Sequence, residues 1–235
     1  MQPDHSTDTR VSVIVPTLNE ERVLPQLLRD LLAEAALHEI IVVDGGSTDQ
    51  TKEIVRAMHD QRLRLLESAP GRGKQMNIAA RAATGDILLF HHADTVLPRV
   101  ACTELLATCQ DPNVRWGGYQ HQFSQPNWKL RMISWLHNFR FRCTGVVYGD
   151  QSMFVRRAFF QHLGGFVEAE LEDLEFSDRA LAQTDSTALL SHVITDSRKF
   201  RQMGEFRALR HVVSILLRYQ SQRQHRSAAF FAPYR

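Results

Sequence analysis

Residues 40–49, Ile-Ile-Val-Val-Asp-Gly-Gly-Ser-Thr-Asp, restrict the folds open to this chain more than any other segment. Four consecutive β-formers leave no polar face for water. The strand they predict over 40–43 must therefore be covered on both sides, as strands of parallel sheets are. It ends on Asp44. The Gly45-Gly46 pair then lets the chain turn into Ser47-Thr48-Asp49, a helix-start signal. In an open α/β sheet, ligands sit beyond the carboxyl ends of the strands. Asp44 is thus an acceptor-only group where a ligand would lie, and if buried it requires hydrogen-bond donors.

The same logic repeats along the first half. Strands are predicted over 11–15, 40–43, 63–66 and 87–90. Between them, helical spacing of apolar residues predicts helices from Val23 to Leu32, over 50–58 and over 73–83. Pro98 opens another. Such βαβα alternation implies a parallel sheet with right-handed crossovers. The second half breaks the pattern, with a strand over 116–123, an aromatic helix over 128–142, a turn at Tyr148-Gly149-Asp150 and an acidic helix over 168–182. No linker or repeat divides the chain. The reading is a flexible 1–10, one α/β domain over 11–203 (nucleotide half 11–97, acceptor half 98–203), and a basic amphipathic tail over 204–235.

With 235 residues, 43% of them hydrophobic, the chain can fill one sizeable core. Its net charge of +2 hides an asymmetry: nine Arg or Lys against one acid from Arg198 to Arg235. Cys102, Cys109 and Cys143 lack metal or redox spacing and read as reduced, buried thiols of a cytoplasmic protein. No signal peptide or membrane-length apolar run is present. Gly71-Arg-Gly73 lacks the third glycine of a dinucleotide fingerprint. No nucleic-acid motif accompanies the basic residues, so nucleic acid is not an expected partner.

Three acidic stations stand out: Asp44, Asp94 after His91-His92, and Glu170-Leu-Glu172-Asp173. A carboxylate beside histidines suits a divalent cation. Each station also has a plain structural reading: Asp44 in a capping network with Ser47, Asp94 as an Asx cap, and the acidic run as a solvated helix start.

Taken together, Ser12-Val-Ile-Val-Pro-Thr-Leu-Asn-Glu-Glu21, Ile41-Val-Val-Asp-Gly-Gly-Ser-Thr-Asp49, His92-Ala-Asp94 and Glu172-Asp173 resemble family 2 glycosyltransferases of the GT-A fold. The likeness runs from about Val11 to Phe200. Ala69-Pro-Gly-Arg-Gly-Lys-Gln-Met-Asn77, Thr84-Gly-Asp-Ile-Leu-Leu-Phe-His-His-Ala-Asp94 and Tyr148-Gly-Asp-Gln151 further resemble a bacterial transferase-2-like, rSAM/selenodomain-associated subgroup.

The resemblance implies an inverting hexosyltransferase (EC 2.4) that moves a sugar from a nucleotide-diphospho-sugar to a hydroxyl acceptor, assisted by Mg²⁺ or Mn²⁺. Pro16, Thr17, Glu20 and Asp44 would hold the nucleoside. Arg72 and Lys74 would reach the base or diphosphate, and Arg198 the diphosphate, with Lys199 and Arg201 nearby. Asp94 matches the last acid of the family's metal motif, with His92 where the first acid stands and His192 a further candidate ligand. Asp173 matches the catalytic base. Glu172 would orient it or the acceptor, and Gly149, Asp150 and Gln151 would shape the acceptor pocket. A nucleotidyltransferase of similar sheet and a non-catalytic nucleotide-sugar-binding protein are the alternatives.

Phe206, Leu209, Val212, Val213, Leu216 and Leu217 share a helical face opposite Arg207, Arg210 and Arg218. They suit core packing, a homodimer, or peripheral contact with the inner face of the membrane. Trp128, Met132, Trp135 and Phe139 form a similar stripe, expected in the core or against a lipid-linked acceptor.

Overall fold

The computed structural model describes residues 9–168 and 171–198. The tail helix, Lys199, Phe200, Arg201 and Glu170 lie outside the described residues.

The first half folds as its periodicity predicts. Strands β1 (Val11–Thr17), β2 (Glu39–Asp44), β3 (Leu63–Glu67) and β4 (Ile87–Phe90) alternate with helices α1 (Leu24–Ala33), α2 (Thr51–Arg56) and α3 (Arg72–Ala82). They pair in parallel in the order β3-β2-β1-β4. Every residue of β2 is buried. Its side chains split by pleat: Ile40 and Val42 face a core shared with α1, while Ile41 and Val43 face one shared with α3. Covering both faces explains the unbroken apolar run.

The second half continues the same sheet rather than leaving it. Beyond β5 (Thr95–Val96) and α4 (Arg99–Thr108) come β6 (Trp116–Phe123), α5 (Trp128–Thr144), a single 3-10 turn at Gly149–Gln151, and β7 (Phe154–Arg156). Helices α6 (Arg157–His162) and α7 (Glu172–Leu181) then precede β8 (Thr187–Thr195). The full order is β3-β2-β1-β4-β7-β6-β8-β5, with β7 antiparallel to both neighbours and β5 antiparallel to β8. The sheet is thus mixed. Behind it, Phe90, Phe160, Phe166 and Phe176 meet with ring centroids 4.8–5.4 Å apart. Aromatic contacts of this kind contribute beyond simple burial.

One strand goes unpredicted and two expectations need correction. The strand β8 escapes a periodicity search because its buried apolar residues, Leu189 and Val193, are four apart, a spacing shared by strand and helix. The α5 stripe is not core: Trp128, Trp135 and Phe139 are more than half exposed. Cys143, on the same helix, is exposed too, whereas Cys102 and Cys109 are buried and burial raises their thiols to about 12 and about 11.

At the amino edge of the parallel strands, Glu39 ties β1, β2 and the turn before β4 together. Its carboxylate accepts from Ser12 Oγ at 2.8 Å, Thr84 N at 2.6 Å and Arg64 at 3.0 Å. Burial alone would raise this carboxyl, but those bonds outweigh it and lower it to about 2. Glu39→Gln is expected to cost on the order of 2 kcal/mol at neutral pH. Because the folded value lies below the ordinary 4.5, the contribution is full above about pH 4.5 and fades as pH falls toward about 2. Thermal melts across that window should show wild type and variant converging. A gap unchanged at its acid end would locate the stabilisation elsewhere.

Candidate active site

The carboxyl ends of β1 and β2 are laced by a two-way set of hydrogen bonds. Asn19 N donates to Ser47 Oγ, Glu20 N to Thr51 Oγ1, and Glu21 N to Asp49 Oδ2, at 2.9–3.1 Å. In return Thr48 N donates to Asn19 Oδ1 and Gln50 N to Glu21 Oε2. Ser47-Thr48-Asp49 is therefore a loop clamp that also serves the helix start: Asp49 Oδ1 accepts from Thr51 N, the first residue of α2, at 3.0 Å, while Gln50 makes no side-chain cap bond.

Asp44 has the donors its burial requires, but they come from the chain itself. It is fully buried; Oδ2 accepts from Gly46 N and Ser47 N, and Oδ1 from Ser47 Oγ. In this conformation it shapes the turn instead of offering a surface to a nucleoside. Thr17 is likewise buried, its carbonyl taken by Gly45 N at 2.9 Å and Gln75 Nε2 at 2.8 Å. Gln75, whose amide also donates to Val43 O, bridges the two strand ends. Its place one turn into α3 gives no sequence signal for that role. Pro16 and Glu20 keep part of their surface at the crevice.

A second convergence lies across the crevice. Arg72, at the start of α3, forms an ion pair with Glu172, at the start of α7. Glu172 is 2% exposed, and burial raises its carboxyl despite the Arg72 charge. Asp173 points elsewhere: Oδ2 accepts from Gly149 N at 2.6 Å and Oδ1 from Leu174 N at 2.9 Å. A Cβ on Gly149 would stand 2.8 Å from His92 Nε2 and 3.4 Å from Asp173 Oδ2. Segments around 72, 92, 149 and 173 therefore meet at one place. A cleft of about 660 Å³ lined by Pro70–Lys74, Glu168 and Glu172 opens beside them, with Lys74 paired to Glu168 at 3.0 Å.

The two histidines before Asp94 have different duties. His91 is fully buried between Ser152 Oγ and Thr95 O, both at 2.8 Å. The carbonyl can only accept, so Nε2 carries the proton and Nδ1 accepts from Ser152. Burial lowers His91 to about 4, so it is neutral and structural. His92 is also lowered, first by burial and then by the Arg72 charge. A neutral imidazole beside a partly exposed carboxylate is a donor set that Mg²⁺ or Mn²⁺ accepts when phosphate oxygens and water complete the shell. Among the described residues, no group of three His, Cys, Asp or Glu stands ready as a metal cage. His192 is not with Asp94: it is exposed on β8, three residues before the Thr195 that pairs with Thr95, and its charge acts on Glu104. Arg198 is nearer, since Asp196 N donates to Asp94 O at 2.9 Å and Arg198 pairs with Asp196 at 3.4 Å.

On the acceptor side, Gln151 is a strut rather than a lining residue. It is fully buried and linked to Tyr148 N, Arg140 and Tyr119 O. Asp150 faces His137 at 3.2 Å and His121 at 3.9 Å, two residues that carry no motif and were not anticipated. Burial would raise Asp150, but His137 chiefly reverses this and holds it well below the usual carboxylate range. Burial lowers His121 to about 4.

The Arg72–Glu172 pair can be tested without a substrate. Arg72→Met leaves Glu172 buried and unpaired, at a cost on the order of 2 kcal/mol once the exposure of Arg72 is allowed for. Its carboxyl, already raised, rises further, so the variant retains stability where Glu172 is protonated and loses it as pH increases. Melts from acid to neutral pH should show the deficit widening, and Arg72→Met with Glu172→Gln should recover part of it. A pH-independent deficit would assign the loss to packing alone.

Residues 12–164 match the family described as glycosyl transferase family 2. The chain is 37% identical over 92 residues to poly(ribitol-phosphate) beta-N-acetylglucosaminyltransferase TarS of Staphylococcus aureus, covering 36% of this chain and 16% of that protein. It is 32% identical over 98 residues to glucosyl-3-phosphoglycerate synthase of Mycobacterium tuberculosis, covering 37% of this chain and 30% of that one. These matches span less than a third of either relative. The structure of S. aureus TarS 1-349 aligns at a TM-score of 0.66 and 22% identity, over 80% of this chain and 60% of that one. Mannosyltransferase PcManGT from Pyrobaculum calidifontis, in complex with GDP-Man and Mn²⁺, aligns at 0.61 and 25% identity, over 82% and 58%. The mixed sheet flanked by helices is thus the GT-A fold that the motifs imply. With its match covering more than half of the sequence, the chain belongs to glycosyl transferase family 2.

Proposed function

We propose that this chain is an inverting, metal-assisted hexosyltransferase that transfers a sugar from a nucleotide-diphospho-sugar to a hydroxyl acceptor, with Asp173 as general base. One observation carries the reading. Asp173 is held by the N–H of Gly149, a residue whose missing Cβ would stand against His92, and it lies beside the Arg72–Glu172 pair, although these residues are far apart in sequence. A solvated helix start has no need of such convergence.

The two amide bonds to Asp173 fix its carboxylate while leaving lone pairs to accept a proton from the acceptor hydroxyl. As that oxygen bonds to the anomeric carbon, the bond to the diphosphate breaks on the opposite face, and the configuration inverts. Asp94, with His92 alongside, would hold a divalent cation, which when bound neutralises charge on the departing diphosphate. Arg72, Lys74 and Arg198 are the cations proposed to contact the base or diphosphate, each now paired with a carboxylate, Glu172, Glu168 and Asp196, that the donor's phosphates would compete with. Pro16 and Glu20 line the nucleoside end, on a rim that Thr17 and Asp44 support. Gly149 and Asp150 border the acceptor. The subgroup motifs support reading the chain as a bacterial transferase-2-like enzyme that works in the cytoplasm through a domain spanning 11–203.

Thermal-shift profiling against UDP-, GDP- and dTDP-sugars, with Mg²⁺ or Mn²⁺, should raise the melting temperature for one donor, by simple linkage. With that donor, Asp173→Asn should retain the shift while lowering turnover by on the order of a hundredfold or more. Undiminished turnover would remove Asp173 from the base role; release of a sugar 1-phosphate instead of a nucleoside diphosphate would indicate nucleotidyl transfer. No shift with any donor would overturn the scheme.

A further inference from the structure

We infer that the outer face of α5 docks this protein onto an anionic lipid surface. Ten large hydrophobic residues are exposed among the described residues, and five of them, Trp128, Met132, Trp135, Leu136 and Phe139, lie on this one helix. Their spacing puts them on a single stripe. The stripe is preformed. Asn127 caps the helix by accepting from Leu130 N at 3.0 Å, Gly145 closes it at φ 69°, and Trp135 stacks on Phe139 with centroids 5.5 Å apart. Scattered apolar residues need no explanation, but a contiguous aromatic patch of this kind marks a binding surface.

Charge selects the occupant. The 17 residues of α5 include Lys129, Arg131, Arg140 and Arg142 and no acid. Arg131 and Arg142 are exposed alongside the stripe. A second copy docked about a two-fold axis would set these cations against themselves with no carboxylate on the helix to neutralise them. A bilayer bearing anionic headgroups meets both demands, because Trp and Phe settle at the interface while Arg and Lys reach the phosphates.

The orientation follows from the inner face of α5. Asn138 exchanges hydrogen bonds with the backbone of His121, and His137 and Arg140 reach Asp150 and Gln151. Docking therefore brings the acceptor side to the headgroups, which points to a lipid-linked hydroxyl acceptor. That substrate class rests on the acceptor reading above, whereas docking itself rests on α5 alone.

Co-sedimentation with phosphatidylcholine vesicles, with and without phosphatidylglycerol, tests the docking. The full chain should bind the anionic vesicles, with a blue shift of its tryptophan emission. Trp128→Ser with Trp135→Ser and Phe139→Ser should lower the bound fraction on the order of tenfold. Arg131→Glu with Arg142→Glu should weaken binding to anionic vesicles and blunt its salt dependence. Melting temperature and donor-induced thermal shift should be unchanged, since these side chains are exposed and away from the crevice. That control separates failed docking from failure of the transferase reading. Absence of binding by wild type, or binding that survives the triple variant, would overturn the proposal. A dimer lost in that variant, or tryptophan emission already blue-shifted without lipid, would give the face to a second copy or to the chain's own remainder.

Discussion

The ion pair between Arg72 and Glu172 joins segments a hundred residues apart at the mouth of the site, at the residue next to Asp173. A carboxylate as buried as Glu172 takes up a proton or costs several kcal/mol unless a cation meets it. Net stabilisation from such a pair is small after desolvation, yet losing one member is costly, so its main effect is positional. Close packing behind it reinforces the constraint. A Cβ on Gly73 would lie 2.7 Å from Val167 O, so glycine at this position is what lets α3 and the segment before α7 approach so closely. The two halves are thereby locked at the edge where ligands of an open α/β sheet bind.

How far the sequence reveals this depends on the range of the interaction. The strands of the parallel half are legible because burial on both faces writes itself as unbroken apolar runs, as in Ile40–Val43. β7 is illegible because three residues cannot show a period, and β8 because Leu189 and Val193 satisfy two periods at once. Site residues follow the same rule. Asp173 and Asp94 stand within recognisable motifs. Gln75, His121 and His137 gain their roles only from partners 17 or more residues away in three cases, or from Asp150 across the 3-10 turn, and no local pattern encodes that. Asp44 shows the converse: a conspicuous carboxylate whose shortest bonds come from donors within three residues, with only a longer one, at 3.4 Å, from Thr17 Oγ1 on β1, so that its strongest ties are local and structural.

The exchange of an acid for His92 reads differently once the surroundings are known. Gly149 lacks the Cβ that would touch His92, and its amide holds Asp173, while Asp150 lies at the next position. A carboxylate at 92 would bring a further negative charge against these two. Like charges at such range oppose ionisation of one another. A neutral imidazole avoids the conflict and still offers a nitrogen donor, though it brings less charge to a bound cation than a carboxylate would. At this position the imidazole therefore spares the crevice a further carboxylate beside Asp150 and Asp173.

Glu172 and Asp173 are neighbours in sequence but not in task, and helix geometry is the reason. Successive residues on an α-helix diverge by about 100°, so adjacent side chains at the start of α7 cannot share one partner. One turns to Arg72 and the other to Gly149 N–H. The division gives each carboxylate an environment of its own. Glu172 meets a guanidinium that occupies it as an ion-pair partner, although burial still raises its carboxyl. Asp173 meets two amides, which orient it without neutralising it. Of the pair, Glu172 is the one tied to a cation and Asp173 the one held by backbone amides, and the proposed division of roles rests on that asymmetry.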